Sequence, residues 1–146
     1  MEKIRRAQVK DAETLALLAI QMWEDHEVAE LADEFREIVE KDDAVCFITF
    51  AEDRPVAFAQ CQLRYDYVEG TESSPVGYLE GIFVSEDYRK KGLAAKLLAE
   101  CEKWAKGKDC TEFASDCELD NESSLRFHLA MGFEEVNRVI CFRKTL

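Results

Sequence analysis

Apolar positions along the chain switch between two spacings. "KDAETLALLAIQMWEDH" puts Leu15, Leu18, Ala19 and Met22 at helical spacing, with Asp11 placed to cap the first turn. A second helix is expected in "EVAELADEFREIVEK". A third follows Gly92, with Leu93, Leu97, Leu98, Cys101 and Trp104 on one face and Lys96, Glu100 and Lys103 on the other. Elsewhere the period shortens to two. "EKIRRA" reads as a short first strand, "AVCFITFA" and "PVAFAQCQLRYDY" as a hairpin joined by "EDRP", and "VGYLEGIFV" as a fourth strand after the loop "VEGTESSP". In the second hairpin strand Cys61, Leu63, Tyr65 and Tyr67 share one face, and Gln60, Gln62, Arg64 and Asp66 the other. "EFASDC" as a fifth strand, a short helix in "NESSLRFHLAM" and a final strand in "GFEEVNRVICFRK" complete a mixed α/β order. Its central strand feeds a glycine turn and a helix.

Composition narrows the class. A chain of 146 residues fits one domain over 1–146 that can bury a core unaided, and two prolines and six glycines leave no linker. The N-terminal "MEKIRRAQVKDAE" is too charged for a signal peptide, and no apolar run reaches the roughly 18 residues of a membrane span, so a soluble intracellular protein is expected. The six cysteines (46, 61, 101, 110, 117 and 141) contain no CxxC pair. The two histidines, His26 and His128, lack metal-ligand spacing, so reduced cysteines, mostly in the core, and no metal are expected. Thirty-one acidic against nineteen basic residues give a formal net charge of -12. Such a field disfavours nucleic acid and anionic membranes as partners and favours a cation, although an acidic balance is also the ordinary surface of a soluble bacterial-type protein.

Two local features carry candidate chemistry. "RKKGLA" is a basic turn with a glycine, set where the first N–H groups of a helix have no internal partners. It lacks the Gly-Lys-Ser/Thr of a P-loop and the glycines of a dinucleotide fingerprint, leaving a general anion site or a solvated turn. Glu80 is the only charge in "YLEGIFV", and period two puts it on the face of Ile82 and Val84. A carboxylate there needs a use or an ion pair with a neighbouring arginine.

Arg89, Gly92 and Ala94 after "LEGIFV", with "NESSLRFHLAMGF" downstream, resemble the acetyl-CoA signature of the GCN5-related N-acetyltransferase (GNAT) superfamily. More narrowly, "RYDYVEG", "SSPVGYLEGIFV", "ASD" and "GFEE…RVICFRK" resemble the aminoglycoside 6′-N-acetyltransferases of Gram-negative bacteria. The resemblance spans nearly the whole chain. It implies a GNAT fold: a mixed, mostly antiparallel sheet flanked by helices, with a splayed central strand pair holding acetyl-CoA. It also implies a cytoplasmic homodimer joined near the final strand, and antibiotic resistance as the outcome.

By the same resemblance the diphosphate lies on the turn of Arg89, Lys90, Lys91, Gly92, Leu93 and Ala94. Pantetheine pairs with the main chain of Ile82, Phe83 and Val84, and the Val84 N–H is a candidate donor to the thioester oxygen. Asn121 would contact the cofactor arm, though Asn is equally at home as an ordinary helix N-cap. Trp23, Tyr67, Glu80 and Asp116 would line the acceptor site, carboxylates meeting ammonium groups and aromatic faces meeting sugar. Glu80 would take the amine's proton, with His26 able to assist. Relatives carry an acid at the position of Asn137, so one acceptor-facing charge is missing. The tyrosine that many members use on the departing thiolate corresponds to His128, and the general acid stays unassigned. Direct transfer in a ternary complex is implied. The alternatives are a polyamine or protein lysine as acceptor, and a non-catalytic acyl-CoA-binding module on the same fold.

Overall fold

In the computed structural model, which describes residues 1–146, five strands form one sheet in the order β1-β2-β3-β4-β5. These are β1 (Glu2–Arg6), β2 (Ala44–Ala51), β3 (Arg54–Arg64), β4 (Val76–Val84) and β5 (Phe113–Ser115). Four helices accompany them: α1 (Ala12–Ala19), α2 (Val28–Glu40), α3 (Leu93–Gly107) and α4 (Glu122–Ala130). β1 to β4 pair antiparallel, whereas β5 runs parallel to β4, a pairing that requires the crossover α3 supplies. The turn joining β2 to β3 is two residues long. Glu52 and Asp53 both take positive φ, 50° and 67°, the twist a tight hairpin needs.

The sheet is covered on both faces. On one, α1 and α2 bring Leu15, Leu18, Leu31 and Phe35 onto Cys46, Ile48 and Phe58. On the other, α3 brings Leu93, Leu97, Leu98 and Cys101 onto Val45, Ala57, Ala59, Cys61 and Leu79, with Phe127, Met131 and Phe133 around α4 at the margin. Four cysteines (46, 61, 101 and 110) are buried as small apolar groups, and Cys117 and Cys141 are exposed. No helix is long and apolar enough to cross a membrane.

Three expectations are corrected. The chain from Glu134 to Leu146 forms no strand, and Val139, Ile140 and Phe142 are exposed. Its alternation marks strand propensity, but a strand exists only against a partner, and β5, the last strand of the sheet, ends at Ser115 without pairing to it. β3 stops at Arg64, so Tyr65 and Tyr67 lie beyond the ladder, 58% and 78% exposed. The first helix ends at Ala19, and Asp11 does not cap it through its side chain. Instead the Asp11 carboxylate accepts from Arg5 Nη1 and Nη2 at 2.7 and 2.9 Å and from the Gln8 N–H at 2.7 Å, pinning β1 to the start of α1.

The Arg5 guanidinium, hydrogen-bonded to Asp11, holds its carboxyl below the ordinary value. Burial opposes this, and the Gln8 N–H adds to it. The stabilisation is therefore present above the unfolded carboxyl's value and is lost as pH falls through the folded one. Asp11→Ala should cost about 2 kcal/mol, because Gln8 loses its acceptor while the partly exposed Arg5 can return to water. Urea denaturation at neutral pH measures this cost, and the gap from wild type should close below about pH 4.

Candidate active site

β4 pairs with β5 only from Gly77 to Leu79, so from Glu80 to Val84 it has no neighbour on that side. The Ser85 N–H donates to Val56 O on the β3 side at 2.8 Å. Because main-chain groups alternate along a strand, Phe83 also turns its N–H and C=O to β3, while Ile82 and Val84 turn theirs into the opening. Arg89 Nε donates to Val84 O at 2.9 Å, which places that carbonyl on the open side. The expected main-chain role is thus available to Ile82 and Val84 but not to Phe83. The Phe83 ring instead packs on the α1/α2 face, 5.9 Å from the Arg89 guanidinium.

The basic turn lies just beyond. Lys90 and Gly92 have positive φ, 62° and 79°, and bend the chain into α3. No side chain caps α3, and its first intrahelical bond runs from the Lys96 N–H to Gly92 O at 3.2 Å. The amides of Leu93, Ala94 and Ala95 are left with the partial positive charge of a helix start. Arg89, Lys90 and Lys91 add three cations beside them. Nothing lies within 4 Å of where a Gly92 Cβ would sit.

A β-bulge decides where Glu80 points. Cys61 faces Leu79 and Gln60 faces Gly81, so Glu80 is the unpaired extra residue. Leu79 and Ile82 both pack on the α3 face, and the bulge turns Glu80 to the other one. This corrects the period-two expectation that Glu80 shares a face with Ile82 and Val84. Glu80 lines a groove of about 260 Å³ with Trp23, His26, Glu34, Phe35 and Gln60. Trp23 sits edge-on to Phe58, ring centroids 6.3 Å apart. It is seated over Gly81, where an added Cβ would come within 2.9 Å of the indole. The exposed His26 shares the groove.

Glu80 is also ion-paired. Arg64 Nε and Nη2 donate to its two oxygens at 2.9 and 2.8 Å. The guanidinium lies 3.4 Å from the centroid of the Tyr78 ring, and the Tyr78 hydroxyl donates to Asp116. Burial, then the bond to Asp116, pushes the Tyr78 hydroxyl well above its ordinary value, so it stays a donor. Asp116, just past β5, thus joins Glu80 on the acidic face. Tyr67 and Asn137 lie apart from this group and share one partner, Glu69. The Tyr67 hydroxyl donates to one of its oxygens at 3.1 Å and Asn137 Nδ2 to the other at 2.6 Å. Asn121 caps α4, its Oδ1 accepting from the Ser124 N–H at 3.0 Å.

The opposite face of the opening holds His128 paired with Ser115, a partner that the sequence did not single out. His128 Nδ1 donates to Ser124 O at 2.7 Å, and His128 Nε2 and the Ser115 hydroxyl share a hydrogen bond of 2.8 Å. The only sequence signal for Ser115 is its place before Asp116 on a short strand, which sends the two side chains to opposite faces. No three His, Cys, Asp or Glu side chains cluster as metal ligands would.

Two outward amides on a broken strand edge, a basic helix start beyond it and carboxylates across the sheet are groups that an acyl-transfer site would need. The family model of the acetyltransferase (GNAT) family matches residues 7–133. The chain belongs to that family. An aminoglycoside N(6′)-acetyltransferase type 1 from Salmonella typhimurium is 44% identical over 125 residues, 85% of this chain and 86% of the relative. The structure of AAC(6′)-Iy in complex with the bisubstrate analogue CoA-S-monomethyl-acetylneamine superposes with a TM-score of 0.94 at 38% identity, covering 100% and 99% of the two chains. AAC(6′)-Ih from Acinetobacter baumannii superposes at 0.93 with 37% identity, covering 100% and 99%.

The protein uses acetyl-CoA, and its open strand edge and basic turn fit such a ligand. Gly92→Val should raise the dissociation constant for acetyl-CoA about tenfold or more. A branched side chain strains a φ of 79° and fills the space the diphosphate approaches. Calorimetry on the folded variant measures it, and unchanged affinity would move the anion site elsewhere.

Proposed function

We propose that this chain transfers the acetyl group of acetyl-CoA to the 6′-amino group of aminoglycosides, directly, within a ternary complex, and so confers resistance to them. The observation that carries this reading is the meeting of Glu80 and Asp116 with the outward amides of Ile82 and Val84 at one break in the sheet. The named activity of the relatives and the neamine-bearing analogue bound by AAC(6′)-Iy support it.

Acetyl-CoA supplies an activated acyl carbon, and the residues supply position and charge. The Val84 N–H, and the Ile82 N–H beside it, stand where a developing oxyanion needs a donor. The turn from Arg89 to Ala94 holds the diphosphate and Asn121 lies along the arm. On the acidic face Asp116 holds an ammonium group and Glu80 accepts the proton that the amine must lose before it can attack. Trp23 offers a sugar-stacking face, His26 stands at the rim, and Tyr67 and Asn137 mark the outer edge of the acceptor region. The thiolate leaves on the side of Ser115 and His128.

We also place this activity in the cytoplasm, where acetyl-CoA and reduced thiols coexist, in a homodimer. Val139, Ile140 and Phe142 are 67%, 77% and 90% exposed, and a second copy would cover them. Sedimentation should give twice the chain mass, and Ile140→Asp with Phe142→Asp should give monomers. A wild-type monomer at micromolar concentration would overturn the dimer.

Thiol release tests the reaction. An aminoglycoside with a 6′-amine should support turnover and its 6′-hydroxyl counterpart should not, while equal or faster turnover on polyamines or lysine peptides would redirect the assignment. Glu80→Gln should lower kcat by about 10² to 10⁴, with recovery as pH rises and free amine increases. Asp116→Asn should chiefly raise the aminoglycoside KM, as loss of ground-state binding does. An exchange of these two patterns would exchange the two roles.

A further inference from the structure

Arg64 closes β3 with its side chain on the acidic face, where a polycation is to bind. A cation there opposes binding, so its presence needs a reason. Its charge alone does not supply one, since a lysine would neutralise Glu80 equally well. The geometry is specific to a guanidinium: a two-pronged contact with both oxygens of Glu80, made while the plane lies 3.4 Å from the Tyr78 centroid. An ammonium can sit over a ring, but it has no planar fork to hold both carboxylate oxygens in one fixed geometry while stacked there. The hydrogen bonds to Glu80 raise the Arg64 guanidinium further above its ordinary value, so the fork stays charged.

We propose that Arg64, seated on Tyr78, is a positioning residue that fixes the Glu80 carboxylate for proton removal from the acceptor amine. This rests on the acetyl-transfer reading above. Glu80 sits on a bulge at the end of a three-torsion side chain that is 17% exposed, so without a partner its carboxylate would sample several orientations. Arg64 selects one of them. The ion pair also offsets the charge of Glu80 toward an arriving ammonium, so Glu80 adds little to ground-state attraction. Recognition then falls to Asp116, which Tyr78 holds from the far side of the same ring stack. One stack of side chains thereby separates binding from proton transfer.

A double-mutant cycle tests this, using Arg64→Lys, Arg64→Ala, Glu80→Gln and the doubles. Each is assayed by thiol release with a 6′-amino aminoglycoside, with acetyl-CoA affinity and melting temperature as measures of an intact fold. Arg64→Lys should keep its acetyl-CoA affinity and aminoglycoside KM yet lose kcat by about 10- to 100-fold, the cost of a misplaced group. Arg64→Ala should lose at least as much. In the Glu80→Gln background either change at Arg64 should have no further effect on kcat. Full kcat in Arg64→Lys would show that charge suffices and would overturn the proposal. An equal loss with Glu80 already removed would show that Arg64 only braces the strand ends, and would overturn it too. A wild type that releases no thiol with any aminoglycoside would overturn this proposal and the acetyl-transfer reading together. An active wild type with an additive cycle overturns this one alone.

Discussion

Everything about this site depends on a strand pairing that stops early. β4 has β5 beside it only as far as Leu79, and beyond that point its edge is open although the strand continues to Val84. Unpaired main-chain groups on such an edge are costly unless something satisfies them. The Val84 carbonyl is taken by Arg89, and its amide, with the groups of Ile82, remains to be met. The same break leaves the strand edge exposed between two faces that the helices cover separately. An enclosed mixed sheet with β4 paired along its full length would have the same core and no open edge.

The second constraint is a single inserted residue. With regular pleating, Glu80 would point at α3 and its carboxylate would need a partner among leucines and Cys101. The bulge sends it to the α1/α2 face, to Arg64 and within the groove that Trp23 walls. It also puts Gly81 under the Trp23 indole, where no side chain would fit. One extra residue thus sets the direction of a charge and the seat of an aromatic ring together.

This explains what the sequence could and could not reveal. The helices and strands around the core were legible because leucine spacing in α3 and alternation in β3 and β4 each follow from burial on a particular face. The anion turn was legible because glycine and cations at a helix start are local signals. The face of Glu80 was not, because a bulge is a mismatch between two strands, and neither carries it alone. The Arg64–Glu80 pair was foreseen in kind, as a carboxylate beside some arginine, but its partner lies sixteen residues away. Ser115 and His128 were separated in the same way, by thirteen residues and a helix start. The final strand was read correctly as propensity and wrongly as structure, since no strand of the sheet pairs with it. Phe83 was misassigned for want of the parity that the Ser85 amide fixes.

The distribution of charge about the opening follows from these placements. The net charge of -12 favours a cationic acceptor at long range, yet it does not discriminate among amines, since screening confines such fields to about 10 Å at 0.1 M salt. Discrimination must come from groups close to the opening, and there the charges are arranged by task. Cations gather at the α3 start, where an anionic ligand is to be held. Carboxylates stand on the α1/α2 face, the proposed acceptor side, and one of them, Glu80, is already paired with Arg64. On the α3/α4 face the opening meets an uncharged hydroxyl hydrogen-bonded to an imidazole. In the proposed reaction the amine would approach from the side of Glu80, which takes its proton, and the thiolate would leave toward the side of Ser115 and His128. The sheet itself, by ending β5 at Ser115 and turning Asp116, the next residue, to the other face, keeps the two environments apart.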